Sequence, residues 1–299
     1  MSDSLDMRTI STIIMMIVSI AFVVVLVVAA RPRAGERGLL KFSERSGLPI
    51  PVASADHLRA RVRRGTIADA VGGLVGIGLA GVLIATPLGT SVLFPLAVVL
   101  PVVGVSVMLA GTGAAVRHSL FTPSTGAPRI ARSHVTTPAD YLPTIPRVLA
   151  WVVAGAGLIA GCVLVLVWAR AGVPRPEFAV AAVIVAVVAL GSSAAIPALD
   201  RAILSRPQPA TTPLELAWDD EFRASTLSAV RQSSTTLGVV ALFLIGLALS
   251  TSSDRALGWG PVFINLAMLV LSRIYPTNGV PLPRPLFPNG IRVAAGSTT

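Results

Sequence analysis

The chain has one cysteine, one lysine and three histidines among 299 residues, and only 13% of its residues are charged. Each shortage excludes something. Cys162 has no intrachain partner, so neither a disulfide nor a cysteine-based metal site is available. It lies in an apolar run and reads as a small packing residue. His57, His118 and His134 are scattered, with no second ligand at metal spacing. The chain offers no Ser-His-Asp set that would face a common site and no paired carboxylates at the end of an apolar run, so an enzyme is not expected, nor a cofactor. A soluble domain carries about 25% charged residues. The deficit here, beside 54% hydrophobic residues, places the chain among membrane proteins.

What charge there is has one dominant sign, a net +10 carried by arginine, with Lys41 as the single lysine. Nine basic residues fall between Arg31 and Arg64, flanked on both sides by apolar runs long enough to cross a bilayer. A loop this basic is retained on the cytoplasmic side and fixes the direction of the later crossings. The positive charge sits between apolar runs without interleaved aromatics, so anionic lipid head groups are the expected partner and nucleic acid is not. The preference for Arg, Ala, Val, Gly and Pro is the compositional mark of a GC-rich, actinobacterial genome.

Hydropathy predicts an all-α polytopic bundle, a single transmembrane domain of about seven spans: 10–30, 67–86, 91–116, 148–168, 178–199, 235–250 and 256–274. The first is read as an uncleaved anchor, because acidic residues precede it and arginines follow it. Three hairpins come next, the first turning at Pro87-Leu88-Gly89-Thr90. With the N-terminus out and the C-terminus in, 20 of the 24 Lys and Arg residues fall inside. Residues 275–299 form a Pro-rich tail, expected to be flexible and cytoplasmic. The sixth and seventh segments are either two spans or one re-entrant element. The expected location is the plasma (inner) membrane.

A weak repeat accompanies the hairpins. Asp56, Asp140 and Asp220 lie 84 and then 80 positions apart, and a large apolar residue (Leu58, Leu142, Phe222) follows each by two. This predicts an acidic N-cap, a short amphipathic helix on the inner surface, then a hairpin. Pro143 and Pro146 shorten or break the second copy. Chance recurrence of Asp-x-Leu is the competing explanation.

Within the spans the polar candidates are few. Asp69 is the only acidic residue inside one, two positions past its start, and reads as a cap or as part of a proton path. Asn265 in the seventh span reads as an interhelical hydrogen-bonding group or a ligand contact. The cluster Asp219-Asp220-Glu221 beside Trp218 reads either as a first-turn cap with an interfacial tryptophan or as a site for a cation or basic partner. Gly76-Ile77-Gly78-Leu79-Ala80-Gly81 fits the dinucleotide fingerprint formally, but it lies mid-span with no preceding strand and is rejected. Small residues recur every four positions at Gly72/Gly76/Ala80, Gly157/Gly161, Ala182/Ala186 and Gly191/Ala195, which predicts close helix packing.

The phrases Ala139-Asp140-Tyr141-Leu142-Pro143 and Trp218-Asp219-Asp220-Glu221-Phe222-Arg223, with the order of elements, resemble uncharacterised multi-pass membrane proteins of actinobacteria. The resemblance implies a membrane bundle and carries over no site residue. Three functions are open at this point. The chain is a non-enzymatic membrane subunit acting by helix packing with a partner or a second copy, or a small transporter or channel with a path near Asp69 and Asn265. The third, a lipid-directed membrane enzyme, has no nucleophile to support it.

Overall fold

The computed structural model describes residues 7–85, 94–117, 136–173, 176–206, 208, 210, 212–249, 266–267 and 269–275. The described residues are helical with no strand. The elements are α1 (Met7–Ala30), α2 (Pro32–Ser46), a 3-10 turn (Val52–Ser54), α3 (Ala55–Ala85), α4 (Phe94–Arg117), α5 (Pro138–Tyr141), α6 (Thr144–Ala171), α7 (Pro176–Leu204) and α8 (Pro213–Leu249). Four of them, α3, α6, α7 and α8, are long and apolar enough to cross a membrane.

The centre of the bundle is α8. At about 1.5 Å per residue its 37 residues extend roughly 55 Å, nearly twice a bilayer's hydrocarbon thickness. Consecutive helical residues turn by about 100°, so neighbours in sequence face different directions. Ser233 meets Thr112 of α4 (3.0 Å), Ser234 meets Ser193 of α7 (2.6 Å), and Thr235 meets Tyr275 (2.9 Å). Three successive hydroxyls thus reach three different elements, which only a surrounded helix allows. These interhelical bonds are the kind that hold polar residues in an apolar bundle.

This helix corrects the sequence reading. The segment 200–234 is not a long polar loop before a short sixth span; residues 205–212 alone connect α7 to α8. Hydropathy divides α8 into a polar half and an apolar half, yet the polar half is as buried as the other. The approach and the span are likewise one continuous helix in α3. Only the second copy breaks: α5 is a single turn closed by a Thr137–Asp140 capping box, and Pro143 precedes α6.

Small residues set the helix spacing. A Cβ at Gly76 would lie 2.7 Å from Val103 Cα, and Ala80 is fully buried, so α3 lies directly on the backbone of α4. Gly73 receives Phe22 of α1, and Gly157 faces Gly238 and Ala241 of α8. The Gly191/Ala195 pair, by contrast, is exposed and lines no contact. Cys162, expected to pack, is exposed as well. It borders an apolar groove of about 330 Å³ between α6 and α7.

At one end of the bundle the N-termini of α3, α6 and α8 stand beside the C-termini of α4 and α7. Leu39 and Phe42 of α2, Leu58 of α3, and Trp218 and Phe222 of α8 form an apolar cluster there. Trp218 is fully buried, stacked near Phe42, and donates Nε1–H to the Pro49 carbonyl (3.0 Å). It is therefore a core residue and not a lipid-facing anchor. Trp151 and Trp168 are exposed, as an interfacial tryptophan requires.

Candidate functional site

Two polar regions are buried around α8, and they differ in how their groups are partnered. In the first, Arg223 donates Nε–H to Asp219 one turn earlier (2.8 Å) and its two terminal nitrogens to the carbonyls of Leu204 (3.1 Å) and Arg206 (2.7 Å). The guanidinium thereby takes up carbonyls at the C-terminal end of α7, where a cation is favoured. Gln208 bridges Asp219 (3.0 Å) and Asp220 (2.9 Å), and Tyr141 of α5 donates its hydroxyl to Asp220 (3.0 Å). One layer further along α8, Arg231 forms a two-pronged pair with Asp200 of α7 (2.7 and 3.1 Å). Both residues of that pair are buried.

Asp219 and Asp220 are thus not first-turn caps. They stand six and seven residues into α8, buried, and bound to protein donors. Tyr141 and Asp220, each part of a recurring phrase, are brought together. A carboxylate already satisfied by Arg, Gln and Tyr donors has little left for an added cation, so this network holds the α5, α7 and α8 ends in register.

The second region is a cavity of about 400 Å³ between α3, α4 and α8. One wall is α3, with Arg61, Gly65 and Asp69 at successive four-residue steps, hence along one ridge of the helix. A second is α4, with Gly111, Thr112 and Ala115, and the third is α8, with Thr226, Ala229, Gln232 and Ser233. At the end of the cavity next to the apolar cluster, Arg61 donates to the Ala115 carbonyl (3.1 Å) and its guanidinium lies 5.4 Å from the Phe222 ring centre. Asp219 acts on Arg61 as an opposite charge, and Arg206 and Arg64 act on it as like charges.

Asp69 occupies the other end, where α3 has become apolar. Its Oδ1 rests against Gly111, and a Cβ at that position would collide with it. Among the described residues no donor or cation is bonded to this carboxylate. Gln232 is 8% exposed, lines the same cavity, and its amide also has no bonded partner among them. Asp69 is half-buried and Gln232 is buried, and both present polar atoms to the cavity.

Of the sequence candidates, Asp69 lines the cavity, Asp219 and Asp220 belong to the paired network, and Asn265 lies outside the described residues. Sequence reasoning missed Gln232, Gly111 and the Arg231–Asp200 pair. The four-residue spacing of Arg61, Gly65 and Asp69 was the available signal for the α3 wall. Nothing local marks Gln232, whose role depends on helices distant in sequence. No protein-family model, no curated protein and no solved structure matches this chain.

Proposed function

We propose that this chain is a multi-pass transport protein of the plasma membrane that takes a polar solute into the α3–α4–α8 cavity. In this reading α1, α4 and the segment ending near Ile274 join the four long apolar helices to make seven spans. The N-terminus is out, the C-terminus is in, and the basic α2 and early α3 lie against anionic lipid head groups. The gathering of the arginine-rich helix ends at one end of the bundle supports that orientation. The observation that carries the transport reading is the cavity itself, lined by the Asp69 carboxylate and the Gln232 amide, neither of which has a bonded partner among the described residues.

The alternative, a passive subunit acting by helix packing, drew on spans nearly empty of buried ionisable groups. Asp200, Asp219, Asp220, Glu221, Arg223 and Arg231, which lie outside the spans read from the sequence, are buried, so the bundle holds more charge than that reading assumed. The apolar α6/α7 groove beside Cys162 still fits a lipid chain or a partner helix, and co-purification of a stoichiometric partner from native membranes would favour the packing role.

The test uses a Cys162→Ala background carrying Ala229→Cys in the cavity wall. A membrane-impermeant thiol reagent labels this cysteine in inside-out vesicles and not in intact cells if the cavity opens to the cytoplasm. Labelling from neither side means that the cavity is sealed to water and removes the transport reading. Labelling only from outside reverses the orientation.

A further inference from the structure

The two ends of the cavity carry opposite charges, and the wall between them is bare. Along the α3 ridge Arg61 and Asp69 are eight residues apart, about 12 Å of helix rise. Gly65 stands midway, and a Cβ there would meet nothing within 4 Å. Packing does not demand a glycine at that position, and glycine costs about 1 kcal/mol relative to alanine in a helix. What its missing side chain does is keep the passage from Arg61 to Asp69 open.

The Asp69 end is built to accept hydrogen bonds. Ser233 gives its proton to the Ala229 carbonyl (3.0 Å), and the Thr112 hydroxyl meets the Ser233 oxygen (3.0 Å). Elsewhere on the cavity wall, Thr226 gives its proton to the Phe222 carbonyl (2.7 Å) and Thr66 gives its own to the Val62 carbonyl (3.2 Å). With these protons committed, the hydroxyl oxygens present lone pairs. Together with the Asp69 carboxylate and the Gln232 carbonyl oxygen they match an ammonium, which has three N–H donors and no acceptor. The opposite end presents guanidinium. Arg64 is exposed at the rim and has no ion pair among the described residues, and Arg61 adds its charge beside it.

We propose that the cavity takes a compact zwitterion, its protonated amine on Asp69 and Gln232 and its anionic group toward Arg64 and Arg61. The inference rests on the transport reading and specifies the solute class. A purely cationic solute leaves the arginines facing its uncharged end, and a purely anionic one meets Asp69 directly. A cavity of about 400 Å³ admits a solute of amino-acid size.

Three probes that share one carbon skeleton and differ in charge test this: L-leucine (zwitterion), isopentylamine (cation) and 4-methylpentanoate (anion). Binding is read as ligand-induced thermal stabilisation of the full chain in nanodiscs of zwitterionic lipid. L-leucine should bind most tightly, the amine about fivefold more weakly for loss of a partly exposed charge pair, and the carboxylate not at all. Asp69→Asn should weaken L-leucine about thirtyfold or more, and Arg64→Gln should narrow the preference for L-leucine over isopentylamine to about twofold, the remainder being held by Arg61. Gly65→Leu, which fills the passage and leaves both charges in place, should block both ligands. Equal or tighter binding of the carboxylate overturns the proposal, and so does the absence of response to all three. If Ala229→Cys is labelled while no probe binds, the solute class alone is wrong. If labelling fails too, the transport reading falls with it.

Discussion

Asp200 and Asp69 are both carboxylates on long apolar helices near α8, and the bundle treats them in opposite ways. Asp200 meets Arg231 through two hydrogen bonds, Arg231 also donates to the Leu227 carbonyl, and both residues are buried. Asp69 faces a cavity, rests on a glycine, and has no bonded partner among the described residues. Removing one member of a buried pair strands the other charge, whereas removing an unpaired charge strands nothing. Asp200 is buried and paired, whereas Asp69 is half-buried and faces the cavity, so stability and function reside in different carboxylates.

The largest effect should come from the paired side. Asp200→Ala leaves the Arg231 guanidinium buried without its counter-charge and should lower stability by about 3–5 kcal/mol, read by chemical unfolding in mixed micelles. The double variant Asp200→Leu/Arg231→Leu should recover most of that loss, because no charge is then stranded. A double variant no more stable than the single would show that Arg231 acts through other contacts.

Gly76→Leu should cost about 1–3 kcal/mol by forcing α3 off the Val103 backbone of α4. Gly78→Ala, where a Cβ meets nothing, should instead be neutral or stabilise by up to about 1 kcal/mol. Equal losses at the two glycines would mean that α3 does not lie on α4 in this register. Tyr141→Phe removes one donor from Asp220 and leaves Gln208 bonded to it, so the loss should be about 1 kcal/mol in the same assay.

The sequence carried the helices and their antiparallel succession, because long apolar runs and interrupting prolines are local signals. The Gly72/Gly76/Ala80 spacing announced a close-packing face on α3, but not that α4 would be the helix lying on it. What stayed hidden has one physical origin. A polar residue buried against a partner helix is indistinguishable, in a hydropathy window, from one in a solvated loop. Arg231, Gln232, Ser233 and Ser234 therefore looked like the end of a polar segment at the inner surface, although they lie inside α8 and bond or line surfaces on α4 and α7. The Asp219–Asp220 pair was misplaced for the same reason, since its donors Tyr141 and Gln208 come from other elements. Asp69 was singled out because a charge in an apolar run is conspicuous. Its cavity was not visible, because that space needs Gly111 and Gln232 to converge from helices far apart in sequence.

The most direct test is the unfolding stability of Asp69→Asn beside that of Asp200→Asn in one detergent. Asp69→Asn should be as stable as the parent or more so, since it neutralises a charge with no counter-ion among the described residues, while Asp200→Asn should lose several kcal/mol. Comparable destabilisation by both would show that Asp69 is held by the bundle as Asp200 is, and would contradict the assignment of its cavity as a binding site.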